Sequence, residues 1–130
     1  MLIDTDVLIW LTRGHEGAAV RLKRLGIWRI SAVTYMELAQ GCRDKSELDR
    51  IKKALREGGT QIAPLNEAVC QRAMRLIDEY ALSDGLRLGD ALIAATALEY
   101  GIPLLTANVK HYDPIRGLKV ERFDPTQDTV

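Results

Sequence analysis

The first nine residues, MLIDTDVLI, place two carboxylates inside a run that is otherwise apolar. A carboxylate in apolar surroundings is costly unless it is protonated, paired with a basic group or bound to a cation. The next charged residue is Arg13, so the sequence offers Asp4 no local counter-charge. A short strand that ends at Asp4, followed by a helix that begins at Thr5 or Asp6, would put both carboxylates at the carboxyl end of the strand. Open α/β sheets bind their ligands at that edge.

Apolar segments that resemble strands alternate with amphipathic segments that resemble helices along the chain. Strands are predicted at residues 1–4, 28–31, 61–65, 102–106 and 118–123, and helices at 6–12, 16–25, 31–41, 44–57, 67–81 and 90–100. A polar loop is predicted at 107–117. The alternation predicts one α/β domain over residues 1–130, a three-layer α/β/α sandwich around a mainly parallel sheet of about five short strands, with a loose tail at 125–130.

Composition and charge exclude several classes of protein. Apolar residues make up 47% and charged residues 28% of the chain, as in ordinary globular proteins. The 18 basic and 18 acidic residues cancel, so bulk charge does not drive binding to nucleic acid. No apolar run approaches the ~20 residues that span a bilayer, and the N-terminus lacks the basic lead of a signal peptide, so we expect a cytoplasmic protein without a membrane anchor. Cys42 and Cys70 are expected to be free, buried thiols.

Two further apolar segments each contain a single charged residue. Glu37 is alone in ISAVTYMELA, and Asp90 is alone in GDALIAATAL. Carboxylates gathered at one sheet edge would take up protons unless a hard cation held them ionised, and Mg²⁺ or Mn²⁺ fits an all-oxygen site best. Zn²⁺ fits less well, because His15 and His111 lack the spacing of metal ligands, and both histidines are expected to be solvated.

Each acid also fits a purely structural role. Asp90 could be the N-cap of the helix that follows it, and Asp6 could be the N-cap of the first helix. Thr34 and Glu37 have the spacing of a capping box. Asp4 is hardest to explain in this way, because a neighbouring residue could provide the cap. The joint occurrence of the acids favours one shared site.

Four segments in this order resemble the PIN-domain ribonucleases, and among them the VapC-type toxins of bacterial and archaeal toxin–antitoxin pairs: MLIDTDVLI, SAVTYMEL, LGDALIAATAL and LLTANVKHYDPIRGLKV. The resemblance extends over essentially the whole chain and implies a PIN-like sandwich. It implies that Asp4, Glu37 and Asp90 bind Mg²⁺ or Mn²⁺. A fourth catalytic position falls on Asn108, where many members have Asp, and an amide there suits the orientation of water or metal through its carbonyl oxygen. Asp6 stands where Asn or Ser is common, and it restores some of the missing charge.

The resemblance also implies an activity and partners. The activity is metal-dependent hydrolysis of RNA by an endoribonuclease toxin, with Thr5 and Thr106 orienting the metal-binding groups through hydrogen bonds. The partners are an RNA substrate, a second copy in a homodimer, and a cognate antitoxin that lies across the active site. Trp10, Leu11 and Leu22 could line the antitoxin groove or belong to the core. Candidate phosphate contacts are the basic residues that flank the site segments, Arg13, Arg43, Arg87 and Lys110.

Three competing interpretations remain at this point. A haloacid dehalogenase-like phosphatase would use Asp4 as nucleophile, Asp6 as acid/base and Lys110 as its lysine, but no late acidic pair completes its site. A receiver-like signalling module needs an acid at the end of a central strand, and the strand at 61–65 has none. A PIN fold that binds RNA or a partner without cleavage is the third, which Asn108 favours and the other intact acids oppose.

Overall fold

The computed structural model of the chain describes residues 1–126. Within this part, five short strands alternate with helices as the sequence predicts. The strands are β1 (Leu2–Ile3), β2 (Arg29–Ser31), β3 (Gln61–Ala63), β4 (Leu104–Thr106) and β5 (Val120–Arg122). The helices are α1 (Thr5–Thr12), α2 (Glu16–Lys23), α3 (Ala32–Gln40), α4 (Lys45–Glu57), α5 (Glu67–Asp84), α6 (Leu88–Tyr100) and α7 (Val109–Tyr112).

All five strands are parallel and lie in the order β3-β2-β1-β4-β5. Leu2 of β1 pairs with Arg29 on one side and with Leu104 on the other. The chain builds outward from β1 to β3, then returns through α5 and α6 to place β4 on the opposite side of β1. The strand order therefore reverses between β1 and β4, and ligands bind beside the carboxyl ends of strands at such a point.

Two cores cover the two faces of the sheet. Successive strand residues point to opposite faces, so Leu2 and Leu104 pack with α5 and α6, while Ile3 and Leu105 pack with α1 and α2. The apolar helix α6 is buried along most of its length, as its lack of a polar face predicts. This arrangement confirms the three-layer α/β/α sandwich.

Element boundaries differ from the prediction where local pattern and tertiary contacts compete. β3, β4 and β5 are shorter than predicted, because only the first three residues of the predicted β3, the last three of β4 and three inner residues of β5 pair with a neighbouring strand. Helix α5 continues to Asp84 and ends at Gly85, whose positive φ of 69° lets the backbone turn. The predicted loop at 107–117 contains α7. This turn forms because its last residue, Tyr112, is buried in the core.

The N-terminal residues of α1, α3 and α6 show that the three capping roles considered for Asp6, Thr34 with Glu37, and Asp90 are wrong. Asp4, not Asp6, is the N-cap of α1, and its Oδ1 accepts a hydrogen bond from the backbone N–H of Thr5 at 2.7 Å. Ser31 is the N-cap of α3, so Thr34 lies inside that helix and forms no capping box. Asp90 lies in the first turn of α6, whose N-cap position is Arg87. Neither Glu37 nor Asp90 is therefore the N-cap of its helix.

His15 was predicted to be a solvated loop residue, and this prediction is wrong. The residue has a structural role. Its Nδ1 accepts from the N–H of Ala18 and caps α2, so in the neutral ring Nε2 carries the proton and donates to the carbonyl of Pro125 at 2.8 Å. The ring also packs edge-on against Trp10 and Phe123. Pro125 is thereby tied to the domain, whereas residues 127–130 of the predicted tail lie outside the described residues.

Three smaller predictions have mixed outcomes. Cys42 and Cys70 are free, but neither is buried, and Cys70 is exposed on α5. Leu22 is completely buried in the core, while Leu11 is half-buried beside a surface groove. Among the helices of residues 1–126, none has the length and apolar character needed to traverse a bilayer.

Candidate active site

Asp4 stands at the carboxyl end of the central strand and is 6% exposed. Its Oδ1 accepts a hydrogen bond from the Thr5 N–H. Its Oδ2 accepts hydrogen bonds from the hydroxyl groups of Thr106, at 2.8 Å, and Tyr112, at 2.9 Å. Thr106 ends the neighbouring strand β4, so the reversal of strand order brings these two residues together. Three donors thus hold the carboxylate in one orientation.

Asp6 lies beside Asp4 in the first turn of α1 and is held from the loop after β4. Its Oδ2 accepts the backbone N–H of Ala107 and the side-chain amide of Asn108, both at 3.0 Å, and it lies 3.2 Å from the Thr106 hydroxyl. Within the described part of the chain, its other oxygen, Oδ1, is buried and has no hydrogen-bond partner. One carboxylate oxygen is saturated with donors, and the other is left for a cation or a proton.

Tyr112 joins Asp4 to Asp90. Its side chain is almost completely buried, and its hydroxyl lies 2.9 Å from Asp4 Oδ2 and 3.3 Å from Asp90 Oδ1. The other oxygen of Asp90 lies 3.5 Å from Nδ1 of His111, whose side chain is exposed. The acids that follow β1 and begin α6 therefore converge on one hydroxyl group.

Glu37 reaches the same edge from α3. Its Oε1 accepts the Thr5 hydroxyl at 2.6 Å, and that hydroxyl also contacts the buried hydroxyl of Thr34 at 3.0 Å. Its Oε2 lies so close to Gly89 that a Cβ built there would be only 3.0 Å away. Glycine at this position therefore allows the carboxylate to lie against the first turn of α6, one residue before Asp90.

The buried acids hold their charge at a cost. Burial, and then the neighbouring charge of Asp6, raise the pKa of Asp4 to about 7 from an ordinary value of 3.8, although three hydrogen bonds oppose the change. Burial also raises the pKa of Asp6. The pKa of Tyr112 is raised by burial and then by the charges of Asp4 and Asp90, so its hydroxyl stays protonated and acts as a donor.

A groove opens beside Glu37 and runs between α1 and α4. Its volume is about 940 Å³, and it contains both apolar and basic side chains. The apolar part includes Ile9 and Leu11 of α1 and Ile51 of α4. The basic residues that line it are Arg13, Arg43 and Arg50. Arg43 forms an exposed ion pair with Glu47 along one helical turn, which is weak in water.

The sequence profile of the PIN domain matches residues 1–114 of the chain. The chain belongs to the PIN domain family. It is 34% identical over 125 residues to ribonuclease VapC10 of Mycobacterium tuberculosis, with 92% of this chain and 90% of that protein covered. It is 35% identical over 130 residues to ribonuclease VapC1 of Rickettsia felis, with 92% and 93% covered. Among solved structures, the toxin–antitoxin complex from Klebsiella pneumoniae matches with a TM-score of 0.79 and 30% identity, over 95% of this chain and 98% of that chain.

The fold of this PIN domain brings together most of the residues that the sequence singled out. Asp4, Asp6, Asp90 and Asn108 lie in one hydrogen-bonded network through Thr106 and Tyr112, and Glu37 joins its border through Thr5. All four basic candidates, Arg13, Arg43, Arg87 and Lys110, are exposed, and Arg13 and Arg43 line the groove beside Glu37. Membership of the PIN domain family leaves the phosphatase and receiver interpretations without support.

Two polar residues of the PIN domain site escape prediction from sequence. Tyr112 falls in a segment predicted as loop, and the spacing of Thr34 indicates only a cap. A signal for Tyr112 exists, because it follows Asn108 by four residues, which is the spacing of one helical turn. Recognising that turn from sequence requires knowing that Tyr112 is buried.

Proposed function

We propose that this PIN domain is a metal-dependent endoribonuclease that acts as the toxin of a toxin–antitoxin pair. One observation carries the proposal. Acids from three separate segments, the buried Asp4 with the half-buried Asp6, the exposed Glu37 and the half-buried Asp90, converge where the strand order reverses. The relatives named ribonuclease VapC10 and VapC1 support the activity, and the Klebsiella toxin–antitoxin complex supports the partnership.

Asp4 and Asp90 would hold one Mg²⁺ or Mn²⁺ ion, with Glu37 acting directly or through water. The donor set fits such an ion, because all its ligands are oxygen and the unpaired Oδ1 of Asp6 lies beside Asp4. Among residues 1–126, no three His, Cys, Asp or Glu side chains are grouped so that together they could hold a metal ion. Mg²⁺ does not need such a group, because it usually keeps several waters and takes only one or two protein carboxylates.

When bound, the ion would lower the pKa of a coordinated water, and its positive charge would stabilise the scissile phosphate. The protein supplies orientation. The Thr106 hydroxyl fixes Asp4, and the Thr5 hydroxyl fixes Glu37. Asn108 donates to Asp6 through its amide nitrogen, and it orients water through its carbonyl oxygen. Burial of Asp4 and partial burial of Asp6 make the attraction of these two carboxylates for a cation stronger than it would be in water.

The RNA strand is held by basic residues around this centre. Arg13 and Arg43 line the groove beside Glu37. In sequence, Arg87 precedes Asp90 by three residues and Lys110 follows Asn108 by two. Such residues contact phosphates, position the strand and read no base. An antitoxin that covers the apolar part of this groove would block access of RNA to the acids.

A homodimer is supported by exposed apolar surface. Met36 on α3, Leu82 near the end of α5 and Leu88 at the start of α6 are between 54% and fully exposed. Exposed apolar side chains mark an interface where they form a contiguous patch, so these three are candidate dimer contacts. Sedimentation of the wild type and a Leu88→Lys variant tests this, with a shift of the variant toward monomer expected.

The deciding experiment incubates purified, antitoxin-free protein with total RNA in Mg²⁺, in Mn²⁺ and in EDTA, and maps new RNA ends. Asp4→Asn and Asp90→Asn remove the proposed ligands, while Asp78→Asn on the exposed face of α5 is the matched control. Discrete cuts that require metal and both ligands, and that survive in the control, are expected. Cuts that persist in EDTA or in both ligand variants would contradict the metal mechanism. RNA binding without any cuts in metal would favour the non-catalytic PIN module.

A further inference from the structure

Tyr112 occupies an unusual place for a core tyrosine. It belongs to the same core as Ala91, Leu104 and Ile115, between the sheet and α5 and α6, and it is 1% exposed. Its backbone is fixed by the turn of α7 and by the N–H of Ile115, which donates to the carbonyl of Tyr112. The hydroxyl at the end of this rigid side chain emerges between two acids rather than in water.

The hydroxyl contacts two carboxylates but has one proton. It can donate that proton to either acid, to Asp4 Oδ2 at 2.9 Å or to Asp90 Oδ1 at 3.3 Å, and so it links the two carboxylates. Asp4 has two further donors, Thr5 and Thr106, and is held without Tyr112. Within residues 1–126, the one partner of the other Asp90 oxygen is an exposed histidine, at 3.5 Å. Of the two acids, Asp90 therefore depends more on the tyrosine.

We propose that Tyr112 is a positioning residue that holds the Asp4 and Asp90 carboxylates at the separation needed to share one divalent ion. The inference rests on the proposed function, because it assigns to these acids the role of metal ligands. In this role, Tyr112 would itself contact neither RNA nor the ion. It acts through Asp4 and Asp90, as outer partners of metal ligands do when they orient them.

Mn²⁺ binding tests the inference without any RNA. Isothermal titration with Mn²⁺ alone compares wild type, Tyr112→Phe and Tyr80→Phe. Tyr80 is the matched control, because it is a buried tyrosine of the same core whose hydroxyl accepts the N–H of Arg116, away from the acids. We expect Tyr112→Phe to weaken Mn²⁺ binding by roughly tenfold and Tyr80→Phe to leave it unchanged.

A double-mutant cycle tests whether the effect passes through Asp90. Tyr112→Phe should cost much less Mn²⁺ affinity in the Asp90→Asn background than in the wild type, because the group it positions no longer carries charge. In RNA cleavage, the same Tyr112→Phe change should lower kcat and leave KM for RNA unchanged, since it removes no group that touches the RNA. Circular dichroism in EDTA checks that Tyr112→Phe keeps the fold, as retention of the ring predicts.

The outcomes separate the inference from the proposed function. Equal or tighter Mn²⁺ binding by Tyr112→Phe, or an equal loss in Tyr80→Phe, would overturn the positioning role while leaving the metal site intact. Mn²⁺ binding that is unchanged by both Asp4→Asn and Asp90→Asn, or absent from the wild type, would overturn the proposed metal site and the inference with it.

Discussion

Replacing Asp4 by Asn should stabilise the metal-free protein at neutral and alkaline pH. Burial and the charge of Asp6 raise the pKa of Asp4 in the folded protein to about 7, against 3.8 for an ordinary aspartate. The folded state therefore binds the Asp4 proton more tightly than the unfolded state does. Stability is greatest at low pH, where both states are protonated at this site, and it falls as pH rises from about 4 through about 7.

The size of the effect follows from the same two pKa values. A tenfold change in proton affinity is worth about 1.4 kcal/mol, so the rise from 3.8 to about 7 corresponds to roughly 4 kcal/mol above pH 7. Between about pH 5 and about pH 8, the wild type should lose about 3 kcal/mol of unfolding free energy. Asparagine needs no proton to enter a buried site and is a good N-cap, so Asp4→Asn should avoid most of this loss.

Urea denaturation followed by circular dichroism, in EDTA at about pH 5 and about pH 8, measures both free energies. The control is Asp78→Asn, which changes an exposed acid of α5 and should follow the wild type. Asp4→Asn should be the more stable protein at the higher pH by about 2–4 kcal/mol. Adding Mn²⁺ at that pH should raise the unfolding free energy of the wild type and not of the variant, because the ion stabilises only a folded state that binds it.

Two results would refute this reasoning. One is a wild type whose stability in EDTA is the same at both pH values, since a buried acid with a raised pKa must show linkage to protons. The other is an Asp4→Asn variant that is less stable than the wild type at the higher pH. That result would mean that the hydrogen bonds of Asp4 outweigh the cost of its burial.

Substitutions at four further positions test other contacts. Gly89→Ala places a Cβ 3.0 Å from the Glu37 carboxylate, so RNA cleavage should fall roughly tenfold while the melting temperature holds or rises, because alanine favours helix. Thr5→Val removes the hydroxyl that donates to Glu37 and should slow cleavage roughly tenfold, whereas Thr5→Ser should keep the wild-type rate. His15→Ala should cost about 0.5–2 kcal/mol of unfolding free energy with cleavage unchanged, because it removes the cap of α2. Arg13→Ala should raise KM for RNA and lower the salt dependence of binding by roughly 0.7 for each phosphate that the arginine neutralises.

The layer architecture could be predicted from sequence because it depends on local periodicity. Alternating strand and helix patterns need no knowledge of contacts, and they predict the parallel sheet and its two covered faces. The position of Asp4 follows from one further rule, that the carboxyl end of a parallel strand faces the ligand edge. Glu37 and Asp90 stand out because each is a lone charge in an apolar segment. Their convergence requires the strand order, which places β4 beside β1 although β2 and β3 come between them in sequence.

Residues that bridge distant segments could not be predicted. The hydroxyl of Tyr112 contacts Asp4 across 108 positions in sequence, and the imidazole of His15 contacts Pro125 across 110. In sequence, a tyrosine in a polar segment and a histidine after a glycine look like surface residues. Only the packed structure gives them burial and partners. The same limit explains why Pro125 falls in the predicted loose tail.

A structural and a functional role coexist in Asp4, although the sequence presents them as alternatives. One oxygen, Oδ1, caps α1, while the other, Oδ2, lies in the network that reaches Tyr112 and Thr106. The cap places a negative charge at the positive end of the α1 dipole, which favours the ionised form. Burial opposes ionisation more strongly, as the raised pKa shows. A capping role alone does not explain why a charged residue is buried here, because an uncharged asparagine caps a helix equally well. The charge at this position fits the divalent ion that we propose this site binds.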